Sequence, residues 1–444
     1  MSNAPVELVT ALKALVQQLD RTQWATPGEI ASSQFRHLVK LGEYCNRQSP
    51  FFATRLVRAG LTPMDLADPA GFARLPVMNR RDLQTAGGDL FCRNTPLGHG
   101  EVTEARTSGS TGEPVVVRRT WVTGLFWNAM AMRELLWHRR DITGRLCTIS
   151  PGVSTCTRHE GWGPPAGAFG RTGPMLALPI AADVARLVEW IEDFRPSFLV
   201  IMPGTLAAVT AYCRQRDVKL PDMRQILTIG ETLSSAIRTA AEETFGVDVV
   251  DCYSSEELGH IALCCPDSGL YHIMSESVIA EVLHDDGQTC REGEVGRVTL
   301  TALHNYATPI VRYDIGDVAE VAPPCPCGRG LPAWKRILGR ERNLILMPDG
   351  TRAWPVTGFP RSREVAPVVQ YQLVQEDRHI IHVRLVVERP LSQAEEDGLR
   401  ALFHRCIGYP FTMRFTYFSG RLPAGPSGKF EEFVCNVRES AMPS

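Results

Sequence analysis

The run Thr107-Ser108-Gly109-Ser110-Thr111-Gly112-Glu113-Pro114 crowds hydroxyls and two glycines into eight positions. Glycine permits positive φ and close approach to a ligand. Successive backbone N–H groups with Ser and Thr hydroxyls then make a cradle for an anion. The spacing and the lysine of a Walker A loop are absent, and a plain Ser/Gly turn explains the run equally well when it is read alone. Tyr253-Ser254-Ser255-Glu256-Glu257 offers an aromatic face for a flat base and a carboxylate for a metal that bridges phosphates. The same letters also suit an acidic helix start. Arg312-Tyr313-Asp314-Ile315-Gly316-Asp317 puts an aspartate on a tight turn, where it could accept from a sugar diol. Lys429 follows Gly428 in a Gly/Pro-rich loop and could meet a developing oxyanion or phosphate, although most lysines are simply exposed. Cys325-Pro326-Cys327, with Cys264-Cys265 and His272 upstream, could supply a Cys₃His zinc site or be unrelated thiols.

Composition narrows the setting. Lys and Arg total 47 against 49 Asp and Glu, a net charge of −2 that gives no attraction to nucleic acid or an anionic membrane. Hydrophobic residues at 44% and charged residues at 22% fit an ordinary soluble protein of two or three domains. No apolar run reaches the length of a bilayer span, and Met1–Glu7 lacks a signal peptide's basic head and apolar core. Thirteen cysteines without even spacing predict reduced thiols in a cytoplasmic protein.

The elements that must position these groups follow from periodicity. Leu8, Leu12 and Leu15 predict a helix over residues 6–20, with further helices to about Asp89. Thr120–Arg140 predicts an amphipathic helix with Trp121, Leu125, Ala129 and Met132 on one face. It would follow the Ser/Gly run closely, where a helix N-terminus favours negative charge. Phe198–Met202, Ile226–Ile229 and Val247–Val250 predict buried strands alternating with helices such as Ser234–Phe245. That alternation indicates an α/β layer with a largely parallel sheet, whose ligands sit beyond the strand C-termini, near Asp251–Glu257. From Glu276 onward, strands with short turns predict a mixed or antiparallel β subdomain. After Gly339-Arg340 a hairpin (Tyr371–Val374, Ile380–Val387), a helix opened by the capping box Ser392–Glu395, and a strand over Phe411–Phe418 predict a separate unit.

Together, in this order, these stretches resemble the adenylate-forming superfamily of acyl-CoA synthetases, luciferases and nonribosomal adenylation domains, in particular its phenylacetate–CoA ligase branch. Thr107–Pro114 matches the TSGTTG-x-P phosphate loop, followed here by Val115 rather than lysine. Gly230-Glu231 matches the G-G/A-E turn, Tyr253–Glu257 matches YGxTE, and Arg312–Asp317 matches RYRTGD. Gly339-Arg340 matches the GR at the hinge, and Pro426–Lys429 matches PSGK.

The resemblance implies an α/β fold. Residues 1–339 would form a large N-terminal adenylation domain of mixed and parallel sheets flanked by helices, with a β subdomain, and residues 340–444 a small mobile C-terminal α+β cap. It implies that Thr107, Ser108, Gly109, Ser110, Thr111 and Gly112 hold the β/γ-phosphates, and that Gly230, Glu231, Tyr253 and Ser254 lie along the nucleotide. Glu257 would hold Mg²⁺, Asp317 the ribose, and Arg340 ribose or phosphate, while Lys429 would bridge the substrate carboxylate and the α-phosphate. Some members of the branch carry a structural zinc, and Cys265, His272, Cys325 and Cys327 fall on its ligand positions. The implied substrates are ATP and a small-molecule carboxylic acid, aryl or arylacetic, with coenzyme A, a carrier protein or an amine as acceptor. A homodimer is compatible with the reading, and a non-catalytic binding protein on the same fold is the rival of a different class. Three departures stand out: Ser254 for glycine, Glu256 for threonine, and Asn343 for an aspartate after the hinge. Ser150–Leu178 is the stretch expected to shape the acyl pocket, with Trp121, Phe126, Trp127 and Trp162 as aromatic candidates.

Overall fold

The computed structural model describes residues 6–106, 115–340, 344–353, 362, 364–419, 422 and 430–437. A helical lead-in comes first: α1 (Val6–Thr22), α2 (Pro27–Gln48), α3 (Pro50–Arg58), α4 (Pro69–Ala73) and α5 (Arg80–Ala86). Thr26 caps α2 with a reciprocal box to Glu29, and Pro27 opens it with a preset φ. Leu38, Leu41 and Cys45 of α2 pack with Phe52 and Leu56 of α3 against Ile279 and Val311 of the body.

β1 (Val102–Arg106) and β2 (Val116–Thr120) form an antiparallel hairpin, pairing Arg106 with Val116. The Ser/Gly run therefore joins two strands. Helix α6 (Trp121–Trp137) starts after β2, capped by Thr120, where the periodicity places it. On α6 the residues Ala129, Met130, Met132 and Trp137 bury against Leu12, Leu15, Val16 and Leu19 of α1. Arg133, also buried, donates to the Glu276 carboxylate at 2.7 Å and to the Leu19 carbonyl at 2.5 Å, locking the two helices to the sheet.

The body is built on strands β3 (Leu146–Ser150), β4 (Thr157–His159), β5 (Met175–Pro179), β6 (Phe198–Ile201), β7 (Gln225–Ile229), β8 (Asp248–Ser255), β9 (Gly259–Cys264), β10 (Tyr271–Ile273), β11 (Val278–Leu283), β12 (Val295–Ala302), β13 (Tyr313–Val321) and β14 (Ala333–Arg340). These make one 12-stranded sheet in the order β11-β12-β13-β14-β10-β9-β8-β7-β6-β3-β5-β4. The expected β subdomain is thus continuous with the parallel sheet. Strand β8 is the seam, pairing parallel with β7 and antiparallel with β9. It also runs to Ser255, beyond the predicted end, so Asp251–Ser255 lies within a strand. Helices α7 (Val184–Phe194), α8 (Pro203–Arg216) and α9 (Ser235–Phe245) pack on the parallel half through Leu187, Ile191, Leu206, Val209 and Ala241. Along β12 both faces are buried, Thr299 and Thr301 as well as Val298 and Leu300.

Beyond Arg340, β15 (Ile345–Leu346) and β16 (Arg352–Ala353) pair with each other. A four-stranded sheet follows, built from β17 (Val368–Asp377), β18 (Ile380–Val387), β19 (Thr412–Phe418) and β20 (Phe433–Cys435) in the order β19-β18-β17-β20. Helix α10 (Gln393–Ile407) carries the predicted Ser392–Glu395 capping box. Leu399, Phe403 and Ile407 bury this helix on Leu373, Ile381, Val383 and Leu385, a core distinct from those of the large sheet.

Candidate active site

The candidate residues gather where β7 and β8 end. Gly230 follows β7 at φ +80°, a conformation that spares only glycine real strain. Glu231 comes next, and its Oε2 accepts from the backbone N–H of Gly204, in the first turn of α8, at 2.7 Å. Its Oε1 accepts from the N–H of Phe430 at 3.0 Å. Phe430 directly follows Lys429, and the chain then enters β20 of the small sheet. Gly204 is needed for this meeting, since a Cβ there would stand 3.0 Å from Glu231 Oε2 and 3.3 Å from Phe430 Cβ. Lys429 itself, Thr107–Gly112 and Asn343 lie outside the described residues.

Across the seam, Tyr253 of β8 donates from its hydroxyl to Asp317 Oδ2 at 2.5 Å. Burial and the adjacent carboxylate keep that phenol protonated by raising its pKa well above the ordinary value. Asp317 Oδ1 meets Arg340 Nε at 3.0 Å. The two residues are cross-strand partners on β13 and β14, and Arg340 is fixed further by a 2.8 Å bond to the Ile315 carbonyl. Asp317 is only 7% exposed, so this is a sheltered charge pair. A carboxylate has about four lone-pair sites, which leaves Asp317 capacity for sugar hydroxyls. Arg312, the first residue of the same motif, serves the fold. It sits at φ +52° and forks onto Glu281 at 3.0 and 3.1 Å. It also donates to the carbonyls of Ala73 and Leu75, both at 2.6 Å.

Glu257 lies in the turn between β8 and β9, 6% exposed. Its carboxylate forms no hydrogen bond or ion pair with a described residue. A carboxylate beside the end of β8 with its oxygens free of described partners suits a hard divalent ion such as Mg²⁺. The thiol cluster also assembles. Ligand atoms of Cys265, His272, Cys325 and Cys327 all lie within 4.8 Å of one another. Cys325 Sγ is 3.8 Å from Cys265 Sγ, and His272 Nε2 is 3.2 Å from Cys327 Sγ. His272 Nδ1 donates to the Leu331 carbonyl at 3.0 Å, which leaves Nε2 as the ligating nitrogen. Burial raises the Cys265 thiol, but hydrogen bonds with His272 and Ser268 outweigh it and bring the group down to about 6. Cys264, its neighbour in sequence, contacts the carbonyl of Gly269 at 3.6 Å and stands outside the cluster. The donor set fits tetrahedral zinc.

A family profile described as AMP-binding enzyme matches residues 107–304. The chain is similar to the phenylacetate–coenzyme A ligase of Thermus thermophilus, at 25% identity over 388 residues that cover 83% of this chain and 80% of the relative. The Pseudomonas putida enzyme of the same name is 22% identical over 405 residues, 86% and 88% of the two chains. A 2-hydroxyisobutyryl-CoA ligase solved with an acyl-AMP in its postadenylation state superposes with a TM-score of 0.75 at 18% identity, covering 94% of this chain and 92% of that one. The chain is thus similar to AMP-binding enzymes over residues 107–304 and to acyl-CoA ligases in fold. Glu256, where the resembled motif has threonine, pairs its carboxylate with Arg119 of β2 at 2.8 Å. The Arg119 guanidinium lies over the Trp127 ring, 5.0 Å from its centroid. The extra acid thus ties the seam to the strand leaving the Ser/Gly run.

A narrow crevice opens beside Glu257, lined by Phe126, Trp127, Met130, Leu258 and His260. Of the four aromatic candidates, Phe126 and Trp127 line it. Trp121 is on the surface, and Trp162 is core, packed edge-on against Phe198 with its Nε1 donating to the Gly144 carbonyl at 3.0 Å. No residue of Ser150–Leu178 lines the crevice. His260, His304 and Asn305, which do line it, carry no sequence signal. They are far apart in the chain and meet only through the pairing of β8 with β9 and the turn after β12.

Proposed function

We propose that this protein joins a carboxylic acid to ATP as an acyl-adenylate and then passes the acyl group to the thiol of coenzyme A. The observation that carries the reading is the Phe430–Glu231 hydrogen bond, which draws the residue after Lys429 to the Gly230-Glu231 turn. In the first step a carboxylate oxygen attacks the α-phosphorus and the bond to pyrophosphate breaks. Such displacement asks the protein mainly to position reactants and to meet charge. Lys429 would lie between the carboxylate and the α-phosphate. Thr107–Gly112 would cradle the outer phosphates. Asp317 would accept from the ribose, Tyr253 would pack on the adenine, and Ser254 would border it. Glu257 would hold Mg²⁺, which when bound neutralises phosphate charge. In the second step the thiol sulfur attacks the acyl carbonyl, AMP leaves, and the thiol proton passes to solvent. A turn of residues 340–444 about Arg340 would withdraw Lys429 between the steps, a familiar form of gating.

Phe126 and Trp127 beside Glu257 support an aryl or arylacetic acid as the substrate. Cys265, His272, Cys325 and Cys327 would hold zinc in a structural role, tying the loop after β9 to the Cys-Pro-Cys turn. A cytoplasmic setting and a homodimer go with the same reading, and light scattering tests the second. The function is tested by acid-dependent pyrophosphate release over a panel of carboxylic acids. Coenzyme A, a carrier protein and an amine are then offered in turn as acceptors. Thioester formation only with coenzyme A is expected, and amide formation would assign the protein to amide synthesis.

A further inference from the structure

The crevice beside Glu257 holds polar groups that the adenylation chemistry leaves unused. Asn305 is 2% exposed. Its Oδ1 accepts from the backbone N–H groups of Ala307 and Thr308 at 3.1 and 3.2 Å, which fixes the orientation of the amide. Its Nδ2 is then buried with no hydrogen-bond partner. Buried donors of this kind are few in native proteins and call for a partner from outside the chain.

His260 supplies a second donor. Its Nδ1 lies 3.0 Å from Cys252 Sγ. Burial pushes the Cys252 thiol well up, so the sulfur keeps a proton that Nδ1 can accept. In the tautomer that accepts it, the ring hydrogen of neutral His260 is on Nε2. His304 is oriented the other way: its Nε2 donates to the Glu276 carbonyl at 2.8 Å, leaving Nδ1 as an acceptor. This ring stacks on Phe126, with centroids 3.9 Å apart and planes 11° apart. Burial pushes both imidazoles down to about 4, so neither is charged near neutrality.

We infer that the acid bound in this crevice carries, away from its carboxyl group, an uncharged oxygen substituent that accepts hydrogen bonds from Asn305 Nδ2 and His260 Nε2. A hydroxyl fits best, because it can also donate to His304 Nδ1. A plain hydrocarbon end would leave the Asn305 donor orphaned, and a site built around a hydroxyl rejects the analogue that lacks one far more strongly than an apolar pocket rejects a missing methylene. A second carboxylate would meet two neutral imidazoles and an amide rather than a cation at this end of the crevice. The inference rests on the adenylation reading above and names the substrate class for that site.

The test is pyrophosphate release with matched acids: para-hydroxyphenylacetate against phenylacetate, and beta-hydroxybutyrate against butyrate. At least one pair should favour the hydroxylated member by about tenfold or more in kcat/KM. Asn305→Asp retains the turn acceptor but replaces the donor, and His260→Phe removes the other donor. Either variant should shrink the ratio to within about twofold, and because the ratio is taken within one variant it does not depend on how much enzyme is folded. Plain acids used equally well or better in both pairs, or a ratio unchanged in both variants, would overturn the inference. Silence with every acid would instead strike the adenylation reading and this inference with it.

Discussion

The backbone N–H of Phe430 donates to Glu231 Oε1 at 3.0 Å, and the other oxygen of that carboxylate caps Gly204 at 2.7 Å. One side chain thus joins the end of β7, the start of α8 and the segment entering β20. Lys429→Ala should lower acid-dependent ATP–pyrophosphate exchange by about 10²–10³-fold or more, as loss of a charge-stabilising group at a reacting centre does. Glu231→Gln, which keeps one good acceptor, should cost about tenfold, near the value of one charge-assisted hydrogen bond. Wild-type exchange in Glu231→Gln would show that this anchor has no bearing on catalysis.

Tyr253 and Asp317 make a shorter link, 2.5 Å between hydroxyl and carboxylate. Hydrogen bonds to charged groups are worth about 1.5–3 kcal/mol. Tyr253→Phe retains the ring and loses that bond, so KM for ATP should rise several-fold with kcat little changed. Asp317→Asn, which removes the charge shared with Arg340, should raise KM more than Tyr253→Phe does. The reverse ranking would mean that the aspartate serves the sheet rather than the nucleotide.

Much of this arrangement was legible in the order of residues. The start of α10 was readable because the Ser392–Glu395 box is a local device, satisfied by neighbours in sequence. The buried strands of the parallel half were readable because a strand covered on both faces must be apolar throughout, as Leu199 and Ile201 show. The length of β8 was not: polar Ser254 and Ser255 remain extended because β9 pairs with them, a tertiary cause with no local mark. Trp121 and Trp162 illustrate the same gap. Residue type alone offered both as pocket aromatics, yet one lies exposed in the first turn of α6 and the other packs edge-on against Phe198. Residue type pointed to Cys325, Cys327, His272 and the Cys264-Cys265 pair, and the resemblance singled out Cys265; the orphaned amide of Asn305 needed coordinates, because its burial depends on strands distant in the chain.

The thiol cluster makes a separate prediction. Purified protein should contain about one zinc per chain by elemental analysis. Cys327→Ser should reduce that content and lower the melting temperature by several degrees, since a metal bound only by the folded state stabilises it by mass action. Full stability with no metal present would return the four residues to ordinary packing.

Arg312 is predicted to matter for stability rather than for chemistry. Its fork to Glu281 and its two bonds to the carbonyls of Ala73 and Leu75 fasten the helical lead-in to the large sheet. Arg312→Ala leaves the half-buried Glu281 without its partner, a change that costs at most about 3–5 kcal/mol, the loss seen when a fully buried pair loses one member. The denaturation midpoint should drop accordingly, while KM for ATP in the surviving folded fraction stays near wild type. A loss confined to ATP binding would put Arg312 at the nucleotide instead.

Acid should weaken the fold through the crevice histidines. Burial pushes His260 and His304 from an ordinary value of 6.5 down to about 4, so the native rings stay neutral where unfolded ones take up protons. Their contribution to stability is fully present above the unfolded pKa and is lost as pH falls through the folded one. Between those limits each ring should cost about 1.4 kcal/mol per pH unit. Urea denaturation midpoints should therefore fall as the pH is lowered through this window and show no slope from these rings above about pH 7. His304→Gln can still donate to the Glu276 carbonyl but has no ring to titrate. It should flatten the slope by about one ring's share, and an unchanged slope would mean that His304 takes up its proton in the native state as freely as in the unfolded chain.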